Sequence, residues 1–188
     1  MLWGECTILS DFDLKSYISD GRLVVKPFDE SIVRENGIDL RVGDEIAVRN
    51  DSLGSDFVMD PYDESSVRDA YVVKKGLQEF AVPRMTQILM VTKEYLELPD
   101  NLMGFVELRS TWCRHGISVP PSIIDAGFRG TITLEVINNG PYPLKLKAGT
   151  RFAHVIFATT LNRVKNAYSG SYLGQLGVRP PKVAENPE

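Results

Sequence analysis

Cysteine and histidine are nearly missing from this chain. Its 188 residues hold two of each, Cys6, Cys113, His115 and His154, and their spacing fits neither a metal site nor a disulfide framework. A zinc site of the usual ligand set is therefore not expected, and redox chemistry has no evident carrier. A basic excess is also missing. Lys and Arg total 21 against 25 Asp and Glu, a net charge of −4. Such a balance argues against a general nucleic-acid binder, so any anion must be met by local cations. No apolar run is long enough to span a bilayer. No signal peptide or lipidation motif is recognisable at Met1. The expectation is a cytoplasmic protein with no membrane partner. Repeats, low-complexity segments, a Walker-type loop and a dinucleotide fingerprint are all missing as well.

What is present suits one compact core. With 43% hydrophobic residues, a chain of this length is expected to form a single domain, here 1–188. Ser10 with Asp13 three residues later reads as a helix start. Leu14, Tyr17 and Ile18 supply one apolar stripe, and Gly21 ends it. This is the one substantial helix predicted. Short apolar runs bounded by Gly, Pro, Asn or Asp follow: Val24-Val25, Ile38 to Val42, Glu45 to Val48, Phe80 to Val82, Gln87 to Val91, Pro143 to Leu146 and Arg151 to Phe157. Their density predicts a mainly β sandwich or barrel with one helix attached. The acidic stretch Asn50 to Asp69 reads as a solvated surface loop. From Asn162 onward the pattern fades into a tail with Gly, Pro and Tyr.

The chemistry concentrates between Arg109 and Asn138. Ser110 is placed to cap a single helical turn that Gly116 ends, and Ser110 and Arg114 share one face of that turn. Arg109 adds a planar cation suited to phosphate oxygens. By itself this piece reads first as a capped turn with two solvated arginines. Ile124-Asp125-Ala126-Gly127-Phe128-Arg129-Gly130 is ordinary hairpin punctuation, or a sugar site in which Asp125 accepts from a hydroxyl and the Phe128 ring lies against the sugar. After it, Ile132, Leu134 and Val136 alternate with Thr131, Thr133 and Glu135. Glu135 is a solvated strand residue unless something covers its face, in which case it can act as a general acid and base.

Taken together, R-S-x-x-x-R followed by I-D-A-G-F-x-G-x-I-T-L-E resembles the dCTP deaminase family of the dUTPase-like superfamily. Ile8 to Asp11, Gly21 to Leu23 and Asn36 to Gly43 resemble its opening segments, and Tyr168 to Gln175 its nucleotide-closing tail, so the likeness spans nearly the whole chain. The resemblance implies a homotrimer of distorted, jelly-roll-like β-barrels with nucleotide sites at subunit boundaries and residues 162–188 as the closing tail. It implies hydrolysis of dCTP to dUTP and ammonia without zinc. The H-x-E and P-C-x-x-C signature of the zinc deaminases is not in the chain. Glu135 would shuttle protons, with Ser110 and Arg114 positioning the water. The backbone from Thr133 through Leu134 to Glu135 would read the base, Asp125 the 3′-hydroxyl, and Phe128 would crowd out a 2′-hydroxyl. Arg109, Ser110 and Thr111 would serve the phosphates, with Mg²⁺ carried by the triphosphate. Tyr168, Ser171, Tyr172, Gln175 and His154 complete the expected substrate contacts. Three positions depart from the pattern. Pro120-Pro121 replaces Thr-Ala, which bears on feedback by dTTP; Ser171 replaces a phosphate-binding Lys; His154 replaces Gln. The alternatives are a bifunctional deaminase and dUTP diphosphatase, a dUTPase, or a nucleotide-binding regulator without turnover. Glu135 together with Ala126-Gly127 favours deamination over the dUTPase pattern.

Overall fold

The computed structural model describes residues 7–185. Among them, α1 spans Asp11–Ser19, and its start is built as expected. The Ser10 side chain accepts from the Asp13 amide, and the Asp13 carboxylate accepts from the Ser10 amide. Two short strands, β1 (Val24–Lys26) and β2 (Val33–Arg34), and the long β3 (Gly37–Arg49) follow. Helix α2 (Glu64–Asp69) precedes β4 (Tyr71–Lys74), β5 (Glu79–Val82), β6 (Thr86–Glu97) and β7 (Leu102–Leu108). Helix α3 (Ser110–Arg114) leads into β8 (Ile117–Ser118), β9 (Ser122–Ile124) and β10 (Arg129–Asn138). The last two strands are β11 (Leu144–Lys147) and β12 (Arg151–Thr159).

The main sheet runs β8-β10-β6-β3-β12-β7-β9, with β1 on β6 and with β2 and β4 on β3. It curls into a half-barrel around the core. β5 and β11 form a separate ribbon. Phe152, Phe157, Leu40, Ile88, Met90 and Leu134 are enclosed in the core, and on β10 the alternation of buried Leu134 and Val136 with Thr133 and Glu135 fixes which face is inside.

Several expectations need correction. Ile38 to Val42 and Glu45 to Val48 belong to one strand, β3, whose register against β6 shifts between Val42 and Ile46. The acidic segment read as a loop ends in α2. Asp63 caps that helix by accepting from the Ser65 and Ser66 amides, and Val67 is buried. Six residues are too few to show a helical period in sequence. Ser110 does not cap α3. Arg109 holds the cap position, without a side-chain cap bond, and Ser110 is already the first helical residue. Gly116 does end the turn, with a positive φ. Cys6 lies outside the described residues.

Candidate active site

The site is organised by β10. Opposite β6, its register shifts between Thr131 and Thr133, leaving Ile132 as a bulge whose amide donates to Thr92 Oγ1 at 2.9 Å. A bulge re-aims the side chains after it. Beyond it, Thr133 and Glu135 face away from the core, while Leu134 and Val136 are buried in it. Glu135 stands opposite Leu89, and Ile137 opposite Gln87.

Thr133 and Glu135 line a cleft of about 340 Å³. Asp125 and Phe128 line it as well, together with Tyr168, Tyr172 and Gln175 of the tail. The Asp125 turn is shaped to receive the tail. Phe128 N–H donates to Asp125 O, and Tyr168 N–H donates to Ala126 O at 3.0 Å. Gly127 has φ +85°, and a Cβ there would come within 2.7 Å of the Ala167 Cβ. The glycine thus serves both the turn and the docking of the tail. The Tyr168 ring packs against Phe128 with centroids 5.6 Å apart.

Further along, the tail becomes a strap on the open edge of β10. Gly174 N–H donates to Arg129 O at 2.7 Å, and Thr131 N–H donates to Gln175 O at 3.0 Å. The Gln175 side-chain amide donates to Thr131 O. Its Oε1 is buried without a hydrogen-bond partner, an orphan acceptor on a residue that lines the cleft. Arg179 N–H then donates to Thr133 Oγ1 at 3.2 Å.

On that edge of β10 the strap is bridged at Gly130 and β8 is paired at Ile137 and Asn138. Among the described residues no strand pairs with the edge between them. Between Thr133 and Glu135 the backbone groups that face β6 are paired in the sheet, and those on the opposite edge have no strand partner. The Leu134 side chain is in the core, so its contribution to a ligand is confined to its backbone.

The remaining candidates are elsewhere. Arg109, Ser110, Thr111 and His154 line a separate shallow hollow with Arg34 and Glu107. There the buried Asp39 accepts from or pairs with His154 Nδ1 at 3.0 Å and lies 3.4 Å from Arg109 Nε. Arg114 is exposed on α3. Ser171 borders an adjoining hollow beside α2, which shares Tyr172, Gln175 and Arg179 with the cleft. One chain therefore brings Glu135, Thr133, Asp125, Phe128, Tyr168, Tyr172 and Gln175 together, and leaves Ser110 and Arg114 outside that cleft.

Sequence reasoning missed four residues here. Gln87, Tyr71 and Arg179 line the cleft, and Asp39 anchors the second hollow. Only Asp39 had a signal, a carboxylate in the otherwise apolar run Ile38-Asp39-Leu40. No group of three or more His, Cys, Asp or Glu side chains that could hold a metal occurs among the described residues.

A family model described as dCTP deaminase-like matches residues 8–160. A dCTP deaminase of Metallosphaera sedula is 47% identical over 178 residues, 95% of this chain and 99% of that protein. A dCTP deaminase of Acidianus ambivalens is also 47% identical, over 177 residues, 93% of this chain and 97% of that one. The crystal structure of 2′-deoxycytidine 5′-triphosphate deaminase from Agrobacterium tumefaciens superposes with a TM-score of 0.63 at 20% identity. That match covers 81% of this chain but only 46% of the other, and at such identity it speaks to the fold. The model match and the two close relatives agree over nearly the whole described chain, and the chain belongs to the dCTP deaminase-like family.

Proposed function

We propose that this protein hydrolyses the 4-amino group of dCTP, releasing dUTP and ammonia. One observation carries the reading: the half-buried Glu135 carboxylate lines a nucleoside-sized cleft together with Asp125, Phe128 and the tail residues Tyr168, Tyr172 and Gln175. A carboxylate within reach of the ring can move protons in both directions. Water adds to C4 while Glu135 takes its proton and delivers it to N3. The carboxylate then relays a proton from the new hydroxyl to the departing amine, the C4–N4 bond breaks, and the C4 carbonyl forms as ammonia leaves.

The unpaired edge of β10 reads the cytosine. Asp125 accepts from the 3′-hydroxyl, and Phe128, fixed by Tyr168, fills the space a 2′-hydroxyl would need. Tyr172 and Gln175 close the site. Ser110 and Arg114 reach the cleft from a second copy, with Arg109 and Thr111 beside them for the phosphates. Two features support that assembly. The cleft in one chain lacks the pair, and Phe105 and Ile123, cross-strand neighbours on β7 and β9, leave large apolar side chains exposed near it. A cyclic trimer, in which each copy lends its α3 to the next, satisfies both.

Mg²⁺ enters on this reading as part of the substrate, bound by triphosphate oxygens, an arrangement that needs few protein ligands. Ammonia release from dCTP, followed with and without chelators, tests the reading. Turnover is expected to survive a zinc-selective chelator unchanged and to respond to Mg²⁺ in proportion to the Mg·dCTP formed. Stoichiometric zinc in the active protein, lost together with activity, would contradict it. No helix among the described residues is long and apolar enough to cross a membrane, and the reading places the enzyme in the cytoplasm with its substrate.

A further inference from the structure

Outside the cleft, one carboxylate touches the strap and takes no part in the proposed chemistry. Glu45, on β3, accepts a hydrogen bond from the Val178 amide through Oε2 at 3.1 Å. Its Oε1 lies 3.2 Å from Lys75 Nζ. The approach is close on the preceding residue too. Gly177 has φ +74°, and a Cβ there would collide with the Glu45 carboxylate. Gly177 O in turn accepts from Thr131 Oγ1 at 3.3 Å. The Val178 side chain is buried in a small apolar cluster with Ala47, Leu89 and Val91, on the sheet's outer face.

The residues flanking this anchor are those that reach the cleft. Gln175 lies on one side and Arg179 on the other, and Arg179 is the single Lys or Arg among the side chains lining it. Arg179 forms no ion pair among the described residues, whereas the cleft carries Asp125 and Glu135. Its position depends on the backbone of Gly177-Val178, because its own amide is held only by Thr133 Oγ1. A hydrogen bond to a charged acceptor is stronger than a neutral one, so the Glu45 contact is the firmest polar hold on that turn.

We propose that Glu45 is a positioning residue: its carboxylate latches the Gly177-Val178 turn so that Gln175 and Arg179 are presented to the cleft before nucleotide arrives. The proposal rests on the nucleotide-site reading of the cleft, but the latch itself is a property of the nucleotide-free protein. It follows that removing Glu45 weakens capture of the substrate and leaves the chemistry at Glu135 nearly intact once the strap has closed.

The test uses the full chain. For Glu45→Ala, amide exchange across residues 174–179 without nucleotide should accelerate about tenfold, as expected on losing a hydrogen bond to a charged group. KM for dCTP should rise about tenfold, with kcat within about threefold of wild type. Glu45→Gln, which keeps an acceptor oxygen, should recover most of both losses. Gly177→Ala should raise KM in the wild-type background and much less so in the Glu45→Ala background, where the colliding carboxylate is gone. Unchanged exchange over 174–179 in Glu45→Ala would overturn the latch even if the protein deaminates dCTP normally. A lower melting temperature with KM and exchange unchanged would also overturn it, by assigning Glu45 a purely structural role. Faster exchange in a protein that releases no ammonia from dCTP would uphold the latch and sink the deaminase reading instead.

Discussion

Glu135→Gln should abolish ammonia release from dCTP while leaving nucleotide binding near the wild-type level. The substitution keeps the side chain's size on the outward face of β10, opposite Leu89, so the cleft should keep its shape. What it removes is the one group proposed to accept a proton from water, protonate N3 and assist the departing amine. General acid and base groups typically contribute about 10²–10⁴-fold in rate, and here a single carboxylate serves several transfers, so the upper part of that range is expected. Steady-state ammonia release and equilibrium binding of dCTP, measured on the same preparation, separate the two effects. Retention of more than about a tenth of wild-type turnover would remove Glu135 from the role.

A second large effect is expected from mixing two inactive proteins. Ser110 and Arg114 lie outside the cleft that holds Glu135, so a chain lacking Arg114 and a chain lacking Glu135 are damaged in different halves of the proposed site. Arg114→Ala and Glu135→Gln homotrimers should each be nearly inactive. Dissociated, mixed in equal amounts and reassembled, they should regain roughly a quarter of wild-type activity, since one boundary in four pairs an intact α3 with an intact Glu135 in a head-to-tail ring. If both residues acted within one chain, every site would carry a defect and mixing would restore nothing. Native mass spectrometry of the mixed sample confirms that hybrids have formed, and light scattering of the wild-type protein should report a trimer.

Much of the cleft was legible because its residues sit where local rules hold. Thr133 and Glu135 follow a period-two strand, Asp125 to Gly127 form a turn with its glycine at positive φ, and Ser10 with Asp13 makes a capping box. What the sequence hid was of a different kind. The strand read as ending at Val91 continues to Glu97, because Glu94 is buried against Arg41. Its Oε2 accepts from the Arg41 amide at 2.7 Å, and its Oε1 from the guanidinium. A charged residue inside a strand reads as a strand end unless the partner, 53 positions away, is known. The bulge at Ile132 likewise depends on Thr92, and the strap depends on Glu45, each a contact between distant segments. The separation of Ser110 and Arg114 from Glu135 was invisible for the same reason. Closeness in sequence suggested one site, whereas β8, which follows α3, meets β10 only at Ile137 and Asn138, beyond Glu135, and Ser110 lines the separate hollow with Asp39 and His154.

Ser171 and Asp125 bear on what happens after deamination. A carboxylate near the α-phosphate could activate a second water, but releasing pyrophosphate requires positive charge around the leaving group. Ser171 supplies none where the resemblance implies a phosphate-binding Lys, so the triphosphate loses one cation that would stabilise departing pyrophosphate. Deamination without onward hydrolysis is therefore the expected outcome. The most direct measurement separates dCTP, dUTP and dUMP by chromatography over a full time course with the purified protein and Mg²⁺, alongside the ammonia released. The account predicts that dUTP and ammonia accumulate in equal amounts and that dUTP supplied alone persists. Rapid conversion of dUTP to dUMP and pyrophosphate, or dCTP left untouched, would contradict it.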